Sequence, residues 1–242
     1  MPTYRSAQRL GTRSHQCDAT AGRSRRGVSA FALLDGIGSS EKVRTWTRER
    51  AADLASAGVE LGDAEAALRR VHAAAAAEPG RDTWGWEELP AAVAVLAVLR
   101  QGVLTVAWCG DSRAWHLSPS GELTPLTSDH NRAQERLDEG MSPRPGDRNT
   151  VTSYLGWHPA APLNGGGSAK FGTVQVDGHL GRLVLASDGA YEPLESACDP
   201  MTGHLTGTTC QQAAQRLASA AIYHAQPRHI DNATVLVADL SS

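Results

Sequence analysis

Four short segments, far apart in the chain, each set an aspartate at the end of an apolar run or at the start of one. They are Phe31-Ala-Leu-Leu-Asp35-Gly36, Val106-Ala-Trp-Cys-Gly-Asp111-Ser-Arg113, Leu183-Val-Leu-Ala-Ser-Asp188-Gly189 and Asp231-Asn-Ala-Thr-Val-Leu-Val237. Spaced this way, the carboxylates read as the mouth of one cleft fed by several strand ends. Hard divalent cations such as Mg²⁺ and Mn²⁺ take oxygen ligands and keep several waters, so a cleft of this kind suits them. A pair of ions held there turns a water into a nucleophile and clamps a phosphoryl group. The glycines after Asp35 and Asp188 let a backbone carbonyl or a substrate approach closely. Any one segment alone reads as an ordinary turn, because Asp-Gly is above all a turn dipeptide; the set of four is harder to dismiss.

The elements that must carry these residues follow from the apolar pattern. Val28 to Leu34, Ala92 to Leu99, Val103 to Trp108, Ala114 to Leu117, Gly172 to Val176, Leu183 to Ala186 and Thr234 to Ala238 read as strands rich in Val, Leu and Ala. Arg100-Gln-Gly102 reads as a hairpin turn and Ser118-Pro-Ser-Gly121 as a second loop closing onto Glu122 to Leu126, which makes antiparallel pairing the expectation. Ser40-Glu41 opens a helix to about Ala57, Gly62-Asp63 begins an Ala-rich one through Ala77, and Thr209 to Tyr223 forms a third with Thr208 as its cap. Strands, a helical pair, more strands and a late helix predict an α+β chain: two packed antiparallel sheets flanked by helices. The Pro-, Asn- and Gly-rich run between His158 and Ala169 reads as a mobile surface loop, and Glu78 to Leu89 as an irregular link whose Trp84 and Trp86 pack on the domain.

Composition sets bounds on the whole. A chain of 242 residues, 41% hydrophobic and 20% charged, has the apolar content for one domain spanning 1–242. A net charge of -3 gives no basic excess for a nucleic-acid footprint. Arg5, Arg9, Arg13, Arg23, Arg25 and Arg26 make the first segment locally basic, and it reads as a solvated or partly mobile arm. No early apolar stretch or long apolar run predicts a signal peptide or membrane span, so a cytoplasmic protein is expected. Cys17, Cys109, Cys198 and Cys210 lack zinc or disulfide spacing and are expected to be reduced. The Ala, Arg and Gly bias suggests a bacterial source with a high-GC genome. Oligomeric state is not legible.

Taken in order, the four segments resemble the metal-dependent protein phosphatases of type 2C, whose members carry Asp-Gly-x-Gly, Gly-Asp-Ser-Arg, Ser-Asp-Gly and Asp-Asn-x-Ser/Thr-Val at these relative places. Leu126-Thr-Ser-Asp129-His130-Asn131 resembles the family's Leu-Thr-x-Asp-His segment, and Asn149-Thr-Val-Thr-Ser-Tyr-Leu155-Gly156 the stretch that follows it. Gly11-Thr-Arg13-Ser-His-Gln-Cys-Asp18-Ala resembles the family's opening Gly-x-Arg segment. The resemblance implies an α-β-β-α sandwich and hydrolysis of phosphoserine or phosphothreonine in a phosphorylated protein substrate. It implies two Mn²⁺ or Mg²⁺ ions, with Asp35 bridging them, Gly36 offering its carbonyl, Asp188 and Asp231 holding one ion, and Asp18 supporting the other through waters. Asp111 matches the position that helps a weaker third ion, and Arg13 the guanidinium that grips phosphate, a task suited to its planar fork. Arg113 has a plainer reading, as a partner of a carboxylate that keeps its turn rigid.

The chain departs from the pattern at several places. Ile37 stands where many eukaryotic members carry a histidine, so the leaving group must take its proton from water or another residue. Pro90-Ala-Ala-Val93 and Ser39-Ser40 replace more usual residues in loops, and Cys17 stands where an acidic or amide side chain is common, next to one ion's waters. Two rival readings stay open: a pseudophosphatase that binds without turnover, and a phosphoesterase acting on small molecules.

Overall fold

Apolar runs that are buried on both sides dominate the middle of the chain. In the computed structural model, which describes residues 2–82, 89–158, 169–178, 180–226 and 230–240, these runs form the centres of two five-stranded antiparallel sheets. The first sheet orders β1 (Thr3–Arg9), β10 (Ala233–Asp239), β9 (Arg182–Ala186), β6 (Arg113–Leu117) and β7 (Leu123–Pro125). The second orders β2 (Ala19–Arg25), β3 (Val28–Gly36), β4 (Ala92–Arg100), β5 (Val103–Cys109) and β8 (Gly172–Val176). Phe31, Leu33, Val95, Val106 and Trp108 point between the sheets, where they meet Leu183, Leu185 and Leu236 of the opposite one. Their alternates Ala30, Ala32, Ala94, Leu96 and Val98 meet α1 (Glu41–Leu61) and α2 (Ala64–Ala76) instead. The other sheet turns Val184, Ala186, Val235 and Val237 toward α4 (Asp188–Ser196), α5 (Thr202–Leu205) and α6 (Cys210–His224). Helix, sheet, sheet and helix thus stack in four layers, as the sequence pattern predicts.

All seven strands read from the apolar runs are present with bounds shifted by at most two residues. The Arg100–Val103 turn has Gln101 at φ 51° and Gly102 at φ 79°, the pair of left-handed residues that a two-residue hairpin needs to follow the strand twist. The structure corrects the reading of the basic N-terminal segment: it is no mobile arm but the two edge strands β1 and β2. Tyr4 packs edge-on against Phe31 at 5.5 Å and donates its hydroxyl to the Gly22 carbonyl at 3.3 Å, and Thr20 donates to Ser6 at 3.0 Å. Arg5, Arg23 and Arg25 are outward-facing residues of these strands, and charged residues on an edge hide a strand from pattern reading while discouraging another chain from pairing with it.

Helix α6 begins one residue later than expected. Thr209, not Thr208, is its cap, in a reciprocal capping box with Gln212. The short α3 (Arg132–Asp138), capped by Asn131, and the helices α4 and α5 were not predicted. Three cysteines are buried and Cys198 is exposed, all four as free thiols. No helix among the described residues is long and apolar enough to cross a membrane. Residues 159–168, and Trp84 and Trp86 within the Glu78 to Leu89 link, lie outside the described residues.

Candidate metal-dependent active site

Antiparallel pairing brings the ends of β3, β5 and β9 and the starts of β2 and β10 to one end of the sandwich. The pairs Ala19 with Leu34, Ala94 with Cys109, and Val235 with Ala186 fix this registry. Asp35 sits at the end of β3, Asp111 two residues after β5, Asp188 at the first turn of α4, and Asp231 two residues before β10. With Arg13 and Gly36 they line a cavity of about 890 Å³. Asp18 lies behind the lining, 2% exposed, at the start of β2. The structure therefore brings together all the sequence-predicted site residues, six on the cavity wall and one beneath it.

Local chemistry explains their placement. Gly36 has no room for a side chain: an added Cβ would stand 2.6 Å from the Cys17 carbonyl and 2.7 Å from Thr47 Oγ1. The Gly189 N–H donates to Asp188 Oδ1 at 2.5 Å, the favourable placement of a carboxylate at a helix start. Ser187 donates its hydroxyl to Asp18 Oδ2 at 3.0 Å and accepts the Thr234 N–H at 3.0 Å, joining the two sheets beneath the cavity. Asn232 accepts the Cys17 N–H at 2.7 Å and donates to the Leu10 carbonyl at 2.9 Å, so it clamps the loop that carries Arg13. The Cys17 thiol is buried against the Ser40 carbonyl at 3.6 Å, away from the cavity lining.

Electrostatics mark the site as short of positive charge. Burial, and then the neighbouring carboxylates, raise the Asp35 and Asp111 carboxyls well above their ordinary range and raise Asp188 as well. Burial pushes Asp18 up to about 7, with Asp188 adding to the effect and hydrogen bonds from Thr234 and Ser187 opposing it. The nearest cation is Arg13, whose Nη2 lies 2.5 Å from Asp231 Oδ2. Burial works against its charge, but Asp231, Asp35 and Asp188 outweigh this and raise its pKa. Asp35, Asp111, Asp188, Glu192 and Asp231 on the wall and Asp18 beneath it, with Arg13 as the one lining arginine among the described residues, are the arrangement a cation would relieve. The donors are all oxygens, which fits Mg²⁺ or Mn²⁺. Among the described residues no three Asp, Glu, His or Cys side chains converge as a ready-made cage. Hard ions that retain waters do not require such a cage.

A second tier positions Asp111. Arg113 holds Asp129 with Nε and Nη2 at 2.7 and 2.8 Å and Glu195 with Nη1 at 2.6 Å, and lies 4.1 Å over the Tyr191 ring. Tyr191 in turn donates to the Asp111 carbonyl at 3.0 Å. Arg113 is thus the rigid turn partner that its plainer reading predicts. His130 stacks on Trp108 at 6.0 Å and accepts the Gly110 N–H at 3.4 Å, which gives the Asp129-His130-Asn131 segment its structural use.

Sequence reasoning missed Glu192 and His224, which also line the cavity. Glu192 is four residues from Asp188 and would have followed from recognising that Ser-Asp-Gly opens a helix. Burial, then Asp188, raises its carboxyl, and Arg148 lies 3.5 Å away. His224 carries no signal in sequence, because only the packing of α6 against α4 brings it there. Ile37 lines the mouth, 43% exposed, and supplies no titratable group.

Comparison with known proteins agrees with this fold. The profile of the family "Protein phosphatase 2C" matches residues 5–136. No curated protein matches the chain. Among solved structures, the Streptococcus agalactiae (S. agalactiae) serine/threonine phosphatase superposes with a TM-score of 0.81 at 19% identity, over 100% of both chains. The Mycobacterium tuberculosis serine/threonine phosphatase PstP/Ppp gives 0.76 at 24%, over 100% of this chain and 99% of its own. A catalytic domain of PstP crystallised in complex with two manganese ions gives 0.69 at 24%, covering 98% of this chain and 97% of that one.

Proposed function

The chain belongs to the protein phosphatase 2C family, and on that premise we infer that it is a metal-dependent serine/threonine phosphatase acting on phosphorylated proteins. The observation that carries the reading is the meeting of Asp18, Asp35, Asp111, Asp188 and Asp231, drawn from both sheets, around one cavity. A module that only binds has no chemical need for all five, which favours turnover over a pseudophosphatase. Two Mn²⁺ or Mg²⁺ ions, when bound, supply the positive charge that generates a hydroxide nucleophile near neutral pH. Asp35, the Gly36 carbonyl, Asp188 and Asp231 would hold these ions, Asp18 would support them from beneath the cavity, and Asp111 would help to hold a weaker third ion.

The protein's own groups do the rest. Arg13 presents its fork to two phosphate oxygens and orients phosphorus for in-line attack, with no covalent intermediate. Its present partner Asp231 keeps the guanidinium at the cavity wall. Ile37 cannot protonate the leaving alkoxide, so the proton comes from water or from another cavity group. None of the cysteines is needed as a nucleophile; the Cys109 thiol, pushed up to about 12 by burial, is inert. We take the chain to act as one domain, in the cytoplasm.

The test is hydrolysis of para-nitrophenyl phosphate and a phosphothreonine peptide with Mn²⁺ or Mg²⁺, with EDTA, and with Asp188→Asn. Metal-dependent turnover should vanish in EDTA and fall at least a hundredfold in the variant. A folded wild-type protein with no turnover would sink the enzyme reading, and action on the aryl ester alone would favour a small-molecule phosphoesterase.

A further inference from the structure

The cavity is far larger than one phosphorylated side chain requires, and its long wall is regular. Asp188, Gly189, Glu192, Pro193, Ser196 and Ala197 line it, which is the i, i+4, i+8 spacing of a single helix face along the whole of α4. From Asp188 to Ser196 that face runs about 12 Å at 1.5 Å per residue. An extended peptide covers this distance in about four residues. At the far end stands His224, the last residue of α6 and a lining residue of the same cavity. Its Nε2 lies 3.1 Å from Asp199 Oδ2, and the same oxygen lies 3.0 Å from His204 Nε2. A carboxylate can only accept, so Nε2 of His224 carries the proton shared with Asp199, and in the neutral ring Nδ1 is then the acceptor.

We propose that the α4 wall is a groove for the extended backbone of the phosphoprotein substrate, and that His224 Nδ1 accepts a main-chain N–H about four residues from the phosphorylated residue. Asp199 is the positioning residue that fixes the ring. Recognition through the main chain makes the groove tolerant of substrate sequence while still separating proteins from small phosphate esters. The proposal rests on the phosphatase reading above and adds a specificity determinant to it.

The test uses the full chain with Mn²⁺, para-nitrophenyl phosphate, and a phosphothreonine peptide shortened one residue at a time from either end. In the wild type kcat/KM should rise with length on one side of the phosphothreonine and level off at about four residues. His224→Ala should remove that gain, about fivefold through KM with kcat held, the size of one net hydrogen bond. Asp199→Asn should lose part of it, and His224→Gln, which keeps an acceptor, should recover part. Hydrolysis of the aryl ester reports that each variant is folded and chemically competent. Length-independent kcat/KM in the wild type, or an equal loss on every substrate in His224→Ala, overturns the groove and leaves the phosphatase reading standing. Absence of turnover on every wild-type substrate overturns both.

Discussion

At the scale of single residues, the side chains that would do chemistry are fewer than those that hold them still. Arg113 does not line the cavity, yet its fork on Asp129 and its place over Tyr191 support the carbonyl of Asp111. Burial opposes its charge, and Asp129 more than offsets this, raising its pKa. Truncating it leaves Asp129, which is almost fully buried, without its cation. Arg113→Ala should therefore destabilise the fold by about 2–3 kcal/mol, measured by urea denaturation. Arg113→Lys should recover only part, since an ammonium cannot make the two-pronged contact. Asp35, Asp111 and Asp188 were legible because each closes an apolar run, and Asp231 because it opens one. Glu192 and His224 were not, because nothing next to them in sequence distinguishes a cavity-facing side chain from any other polar residue on a helix.

At the scale of elements, legibility followed burial. Strands β3, β4 and β5 are enclosed on both faces and so announce themselves as continuous apolar stretches. Strands β1 and β2 have one open edge and are written in Arg, Ser and Thr, which is why pattern reading took them for an arm. Helix α4 escaped notice for a different reason: its first residues are an Asp-Gly that reads as a turn, and Pro193 sits inside it. Caps are legible only to within a residue when two threonines are adjacent, as at α6. Because Thr209 takes the Gln212 N–H and its own N–H is taken by Gln212, Thr209→Ala should cost about 1 kcal/mol, while Thr208→Ala leaves the box intact. Paired thermal melts of the two variants check this.

At the scale of the molecule, the buried carboxylates make stability depend on pH in a direction opposite to that of a salt-bridged acid. Asp18 ordinarily titrates near 3.8 and is pushed to about 7 in the fold without metal. The folded value lies above the unfolded one, so the folded state binds the extra proton. Its contribution is whole below about pH 4 and is lost as pH rises through about 7, and Asp35, Asp111 and Asp188 shift in the same sense. Thermal melts in EDTA should give a lower midpoint at pH 8 than at pH 5. Added Mn²⁺ should raise the midpoint more at pH 8 than at pH 5, because ligands must be ionised to bind it. An EDTA midpoint that is flat or rises with pH would contradict this account.

The flank where β1 and β2 lie one above the other has a consequence for how copies of the chain behave when crowded. Two strand edges face outward there, each a row of backbone groups onto which a further strand could add. Arg5 on one and Arg23 and Arg25 on the other place guanidinium groups along both rows. A second copy approaching by the same flank meets like charge before it meets backbone. Edge-to-edge stacking, the first step toward fibrous aggregates, is thereby disfavoured along this flank.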